Sequence, residues 1–245
     1  MPRFFIDASQ IEDGHAYIVG DDSRHIARSL RMAAGDELTV CDGSGNEYLT
    51  VLTKIRDERC ECEIKGCVRS KSEPLSKITL YMAYPKSDKL EIIIQKAVEL
   101  GASRIVPFES SRCIKKPKAE KANEKTARLC RIAAEAAKQC GRAILPSVSL
   151  PYSFTDAVEE ATKSSLAIFC YEGNDAVSLK ALLDGIEKIP ESISVIVGAE
   201  GGFSPEEAER ARTSGALIAN LGPRILRCET APDYCLSAIS FRFEL

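Results

Sequence analysis

Arg227, Glu200 and Glu229 are the residues whose types and settings suit chemistry best in this chain. Arginine stays charged at any working pH and can hold a developing anion. A carboxylate can take up a proton or orient a cation. Both loops that carry these groups have unusual compositions. Glu200 lies in Val195-Ile-Val-Gly-Ala-Glu-Gly-Gly-Phe-Ser204, where Gly198, Gly201 and Gly202 let backbone approach a ligand closely. Arg227 and Glu229 lie in Leu221-Gly-Pro-Arg-Ile-Leu-Arg-Cys-Glu-Thr-Ala-Pro232. Neither loop is a common nucleotide fingerprint, for G-x-G-x-x-G and G-x-x-x-x-G-K-[ST] are both missing.

The flanking pattern says what positions the loops. Ile193, Val195, Ile196 and Val197 form an apolar, β-branched run, expected as a buried parallel strand. After the glycines, Ser204 is an expected N-cap, with Pro205 at the first helical position and Glu207 closing a capping box. The second loop follows the apolar run Ala216–Leu221. Two such loops, expected to follow neighbouring strands, are expected to build one pocket between them.

The rest of the chain divides in character. Residues 1–70 alternate short strand patterns with turns and one short helix: strands over 3–7, 15–19, 37–41, 48–55 and 59–68, and a hairpin at Asp42-Gly43 and Gly45-Asn46. Asp21 or Asp22 is the expected cap of a helix running through Leu30, and such a module suggests a small barrel. Residues 71–76, within the polar Ser70-Lys-Ser-Glu-Pro-Leu-Ser76, read as a linker. From Lys77 strands and helices alternate: strands over 78–83, 104–108, 166–170, 193–197 and 216–221, and helices over 86–100, 119–140, 178–186, 205–213 and from Pro232. That alternation predicts an α/β domain, residues 77–245, with a parallel sheet covered on both faces.

Composition narrows the function. With 44% hydrophobic and 28% charged residues, the chain is that of an ordinary globular protein. It has no apolar run of the roughly 20 residues that span a bilayer. Met1-Pro-Arg-Phe-Phe-Ile-Asp7 lacks a signal peptide's apolar core, so a cytoplasmic location is expected. Ten cysteines contain no C-x-x-C and there are two histidines, so no metal site is expected and the cysteines are read as free thiols. Net charge is −3, yet residues 110–142 hold ten Lys or Arg and three Glu. A basic segment on an acidic chain fits a local phosphate-binding face. Arg24, Arg28 and Arg31 fall at i, i+4 and i+7, on one face of the short helix, with His25 beside them.

Beyond spacing, the wording of the loops is specific. Gly198-Ala-Glu-Gly-Gly-Phe-Ser-Pro205 and Leu221-Gly-Pro-Arg-Ile-Leu-Arg-Cys-Glu-Thr-Ala231 resemble the signature loops of the RsmE family. These are SPOUT-superfamily methyltransferases that modify N3 of a uridine in small-subunit ribosomal RNA. Pro85-Lys-Ser-Asp-Lys-Leu-Glu91, Lys96-Ala-Val-Glu-Leu-Gly-Ala102 and Glu135-Ala-Ala-Lys-Gln-Cys-Gly-Arg142 resemble further family motifs in family order. His25-Ile-Ala-Arg-Ser-Leu-Arg-Met-Ala-Ala-Gly-Asp36, followed by Asp42-Gly43, resembles the family's PUA-like RNA-binding domain. The sequence departs from the pattern at Ala199, where the family commonly has proline.

The resemblance implies a PUA-like β-barrel followed by a SPOUT methyltransferase domain with a trefoil knot, working as a homodimer. It implies S-adenosyl-L-methionine as cofactor, with Phe169, Tyr171, Glu172, Val197, Gly198, Ala199, Glu200, Gly202, Leu221, Gly222, Ile225, Leu226, Thr230 and Ala231 as its expected pocket. It implies small-subunit ribosomal RNA, in an assembled or assembling 30S subunit, as partner. The expected RNA contacts are Arg3, Arg24, His25, Arg28, Arg31, Lys86, Arg112, Lys115, Lys116 and Arg142. Methylating uracil N3 removes an imide proton and spreads charge onto O2 and O4, so Arg227 is the expected partner of those oxygens. Glu200 and Glu229 remain open as bases or as groups orienting the methionine amine. Ribose 2′-O methylation and RNA binding without catalysis stay as alternatives, and a nicotinamide enzyme is disfavoured by the missing fingerprint.

Overall fold

A computed structural model describes residues 1–114, 119–173 and 175–245 of the protein. Two compact units emerge: Met1–Glu73 with Ala137–Leu145, and Pro74–Ala136 with Pro146–Leu245.

The first unit is built on six strands in the order Arg3–Phe5, Glu37–Cys41, Asn46–Lys54, Arg59–Arg69, His15–Val19, Ile11–Glu12. The first pair is parallel and the others antiparallel. Strand period two sends Cys60 and Cys62 inward, where they join Phe4, Ile18, Ile26, Leu38, Val40 and Leu52 in one core. All ten cysteines are free thiols. Burial pushes the Cys62 thiol up to about 12, as befits a small hydrophobe. The expected hairpin forms at Asp42, whose carboxylate accepts from the Ser44 and Asn46 N–H groups at 2.9 and 3.3 Å.

The short helix departs from expectation. It is a single α-turn, Asp21–Arg24, followed by a wider π-turn, His25–Ser29. Gly20 occupies the N-cap in place of Asp21 or Asp22, with no side-chain cap. Both carboxylates are engaged elsewhere: Asp21 with Arg24, and Asp22 with Lys138 at 2.9 Å. Arg31 lies beyond the helix with φ +50, so it does not share a helical face with Arg24 and Arg28.

Glu73, from the polar stretch between the two compositional regions, is an anchor. Its carboxylate accepts from Arg142 Nη2 at 2.6 Å and from the Ala143 and Ile144 N–H groups at 2.8 and 2.9 Å. The Arg142 side chain is 4% exposed and that of Glu73 12%. This pair ties the segment 137–145 to the first unit.

In the second unit the strands run Tyr152–Ser153, Ala102–Glu109, Lys77–Ala83, Ser192–Val197, Leu166–Cys170, Leu217–Asn220, Val177–Ser178, and Ser147–Val148 also pairs with Ala102–Glu109. Every pairing is parallel. Ile78, Leu80, Met82, Ile193, Val195 and Ile196 are fully buried, as a sheet covered on both faces requires. The helix Lys89–Glu99 buries the expected Leu90, Ile93, Ile94, Ala97 and Val98. Pro205–Thr213 starts at the expected capping box, with Ser204 Oγ accepting from the Glu207 N–H at 3.2 Å and Glu207 Oε2 from the Ser204 N–H at 2.9 Å. The helix Phe154–Ala161 was not expected; Ser153 caps it by accepting from the Asp156 N–H at 3.1 Å.

Burial pushes the Glu73 carboxyl up, but Arg142 and the two N–H donors outweigh it and hold it below its ordinary value. A depressed folded-state value stabilises above the unfolded one and is lost as pH falls through the folded one. The melting temperature of the wild type is therefore expected to fall more steeply than that of Glu73→Gln between about pH 5 and pH 3. At neutral pH Arg142→Ala strands a buried carboxylate and is expected to cost about 3 kcal/mol, read by urea unfolding.

Candidate active site

The two chemically interesting loops leave the C-terminal ends of strands that are not direct neighbours. Leu166–Cys170 lies between Ser192–Val197 and Leu217–Asn220, pairing with both. Three consecutive strand ends therefore surround one cavity of about 730 Å³. Ligands in open parallel sheets bind at this edge.

Most of the expected pocket residues line that cavity: Tyr171, Glu172, Val197, Gly198, Ala199, Glu200, Gly202, Leu221, Gly222, Ile225, Leu226 and Ala231, and Arg227, expected at the substrate oxygens, lines it too. Phe169 and Thr230 are not on its wall. Phe169 is fully buried, its ring 4.2 Å from Phe203 and edge-on to Phe154. Thr230 opens the final helix, Thr230–Phe243. Lys89, Arg112, Cys170, Gly173, Gly201, Phe203, Arg224 and Cys228 also line the wall and were not in the expected pocket. Arg224 had a signal, since it shares a loop with Arg227. Lys89 belongs to another segment and no spacing rule joins it to the loops.

The glycine loop closes on itself, with the Ala199 carbonyl accepting from the Gly202 N–H at 2.9 Å. Ala199 is buried there in place of proline. Gly202 has φ +62 and Gly222 φ +103, and a Cβ on either would meet nothing within 4 Å. Backbone at these two points is thus both glycine-specific and open to a ligand.

Charge is concentrated on one side. Lys89 Nζ lies 3.2 Å from Glu200 Oε1 and 3.0 Å from Glu229 Oε2. The Lys86 N–H donates to the same Glu200 carboxylate at 3.1 and 3.3 Å. Burial raises Glu200, but the hydrogen bonds from backbone and Lys89 outweigh it and hold it below its ordinary value. The Cys228 thiol and Lys89 hold Glu229 low, and the two carboxylates hold Lys89 high. All three stay ionised at neutral pH, which makes both carboxylates weak bases. Arg112 Nη1 donates to the Gly201 carbonyl at 3.2 Å. Among the described residues, the Arg224 and Arg227 side chains have no hydrogen-bond or carboxylate partner.

The remaining basic candidates differ in availability. Arg24 and Arg28 are exposed and paired with Asp21 and Asp57. His25 packs edge-on to Phe4. Arg3 is mostly buried against Glu47 at 3.1 Å, and Arg142 points inward to Glu73. Lys86 is exposed. Lys115 and Lys116 lie outside the described residues.

Comparison with known proteins places this geometry. Residues 71–240 match the model of an RNA methyltransferase domain, and residues 18–65 that of an RNA methyltransferase PUA domain. The two matched domains are those of a two-part RNA methyltransferase. Ribosomal RNA small subunit methyltransferase E of Bacillus subtilis (strain 168) is 34% identical over 252 residues, covering 100% of this chain and 98% of that protein. The protein of the same name from Synechocystis is 31% identical, covering 99% and 78%. The crystal structure of the Neisseria gonorrhoeae protein of that name, bound to S-adenosyl methionine, has a TM-score of 0.86 at 29% identity, covering 98% of this chain and 97% of that one. The chain belongs to the ribosomal RNA small subunit methyltransferase E family.

Cys228 lies in the cavity wall, yet burial and the neighbouring Glu229 and Glu200 carboxylates push its thiol up to about 12. It is expected to resist iodoacetamide at pH 8 under conditions that label the exposed Cys67. Peptide mass spectrometry of the alkylated native protein reads both.

Proposed function

We propose that the protein methylates N3 of a uridine in 16S ribosomal RNA, using S-adenosyl-L-methionine bound in the 730 Å³ cavity. One observation carries this reading: Arg227, whose side chain has no partner among the described residues, stands on the wall of a cavity floored by glycine and aliphatic residues. The volume suits a nucleoside-sized ligand. Open backbone at Gly202 and Gly222 suits the flat adenine, with Leu221, Ile225 and Leu226 as apolar cover. When bound, the cofactor supplies an electrophilic methyl group.

The chain's own residues do the rest. Arg227 donates to the uracil oxygens as N3 loses its proton, lowering the cost of the imide anion. The proton leaves to solvent, since Glu200 and Glu229 are held too acidic to take it. Those carboxylates instead orient the cofactor's amine. The target base must be unpaired to enter. The exposed Arg24, Arg28 and Lys86, with Arg112 and the basic segment that follows it, supply phosphate contacts.

The same reading includes a homodimer working in the cytoplasm on the small subunit. Among the described residues no helix is long and apolar enough to cross a membrane. Two packed helices, Lys89–Glu99 and Thr230–Phe243, leave Ile92, Tyr234 and Phe241 at 57, 47 and 75% exposure. Apolar surface of that kind suits burial against a second copy.

Purified protein, small-subunit RNA and labelled cofactor are expected to yield N3-methyluridine on nucleoside mass spectrometry; 2′-O-methyluridine in its place sinks the N3 assignment. Arg227→Ala is expected to keep cofactor affinity and slow single-turnover transfer by about 100-fold. Light scattering is expected to report a dimer at micromolar concentration, and a monomer counts against the partner-covered helices.

A further inference from the structure

We propose that Lys89 is a positioning residue that holds the two walls of the cofactor cavity together. The inference rests on the reading of the cavity as the S-adenosylmethionine site. Glu200 belongs to the loop after Ser192–Val197, and Glu229 to the loop after Leu217–Asn220. Another strand separates the two. Among the described residues no hydrogen bond runs directly from 198–203 to 221–231. The Lys89 ammonium bridges them, 3.2 Å from Glu200 and 3.0 Å from Glu229.

Its placement has no local reason. Lys89 is the first residue of the helix Lys89–Glu99. A cation there faces the positive end of the helix dipole and is disfavoured. Asp88, at the N-cap, makes no capping hydrogen bond. Ser87 adopts φ +57, a conformation costly for a residue with a Cβ. The entry to this helix thus carries three unfavourable features. What they achieve is contact with the loops: the Lys86 N–H and the Lys89 ammonium converge on Glu200, and Lys89 continues to Glu229. Side-chain exposures of 27, 28 and 34% for Glu200, Lys89 and Glu229 leave the cluster partly screened from water, where charge-assisted bonds retain strength. Remove the ammonium and two carboxylates face each other with no cation between them, which drives the loops apart.

Two readouts test this on the full-length protein. Hydrogen exchange without cofactor reads the loops directly. Lys89→Met is expected to speed exchange in both 198–203 and 221–230 by about tenfold, and Lys89→Arg to leave it near wild type. Calorimetry with S-adenosylmethionine is expected to show Kd raised about tenfold in Lys89→Met and near wild type in Lys89→Arg, while adding Glu229→Gln to Lys89→Met, which removes the uncompensated charge, is expected to slow loop exchange back toward wild type without cofactor. A role in supporting the helix alone would not respond to Glu229→Gln. Wild-type exchange in either loop of Lys89→Met overturns the clamp, as does faster exchange that neither Lys89→Arg nor the added Glu229→Gln relieves. If the loops loosen as expected while the wild type binds no S-adenosylmethionine, the clamp stands and the cofactor reading falls. Should Lys89→Met fail to fold, Glu229→Gln alone is read for faster exchange in 221–230, and an unchanged rate there overturns the clamp.

Discussion

Parallel pairing is the constraint on which the catalytic half depends. When every strand of a sheet runs the same way, every strand ends on the same edge. Ser192–Val197, Leu166–Cys170 and Leu217–Asn220 lie side by side, so the three loops that follow them converge without further instruction. Chemistry is then a matter of what those loops contain. Each connection between parallel strands needs a crossover, and the helices Leu179–Asp184 and Pro205–Thr213 provide covering mass while returning the chain to the starting edge.

A loop made of glycine cannot support itself, because glycine loses the most conformational freedom on ordering. The structure compensates at both ends. Phe203, directly after the glycines, plugs into a ring cluster with Phe108, Phe154 and Phe169, the nearest ring being 4.2 Å away. Such packing fixes one end of the loop rigidly. Arg112 and Lys86 grip the other side through Gly201 and Glu200. The floor is therefore open where a ligand meets it and tied wherever it meets protein.

How much of this the sequence disclosed follows from the range of each signal. The strand Leu166–Cys170 and the helix Pro205–Thr213 matched their expected bounds, because a long apolar run and a capping box are local and unambiguous. Two-residue strands such as Tyr152–Ser153 and Val177–Ser178 carry no period and were invisible. The cap at Ser153 was legible in principle, as Ser153 precedes Asp156 by three residues. Phe169 shows a deeper limit. A strand buried on both faces is apolar throughout, so nothing local tells which side chains look toward a ligand and which toward the core. The arginine face of 24, 28 and 31 failed for another reason: ideal helical spacing says nothing when the helix widens and then stops. Lys89 joins loops more than a hundred residues away, and only the fold brings such groups together.

The first unit closes with a segment borrowed from the middle of the chain. Residues 137–145 complete it, and Glu73 waits for Arg142 to neutralise its charge. On a ribosome, which emits the chain from its first residue, this unit stays unfinished until residue 145 has emerged. By then two strands of the second unit, Lys77–Ala83 and Ala102–Glu109, are already outside, with Ser192–Val197, the other neighbour of Lys77–Ala83, still unmade. The two halves thus mature in alternation rather than in succession, and a gene fragment ending at residue 73 encodes an N-terminal half without its last piece.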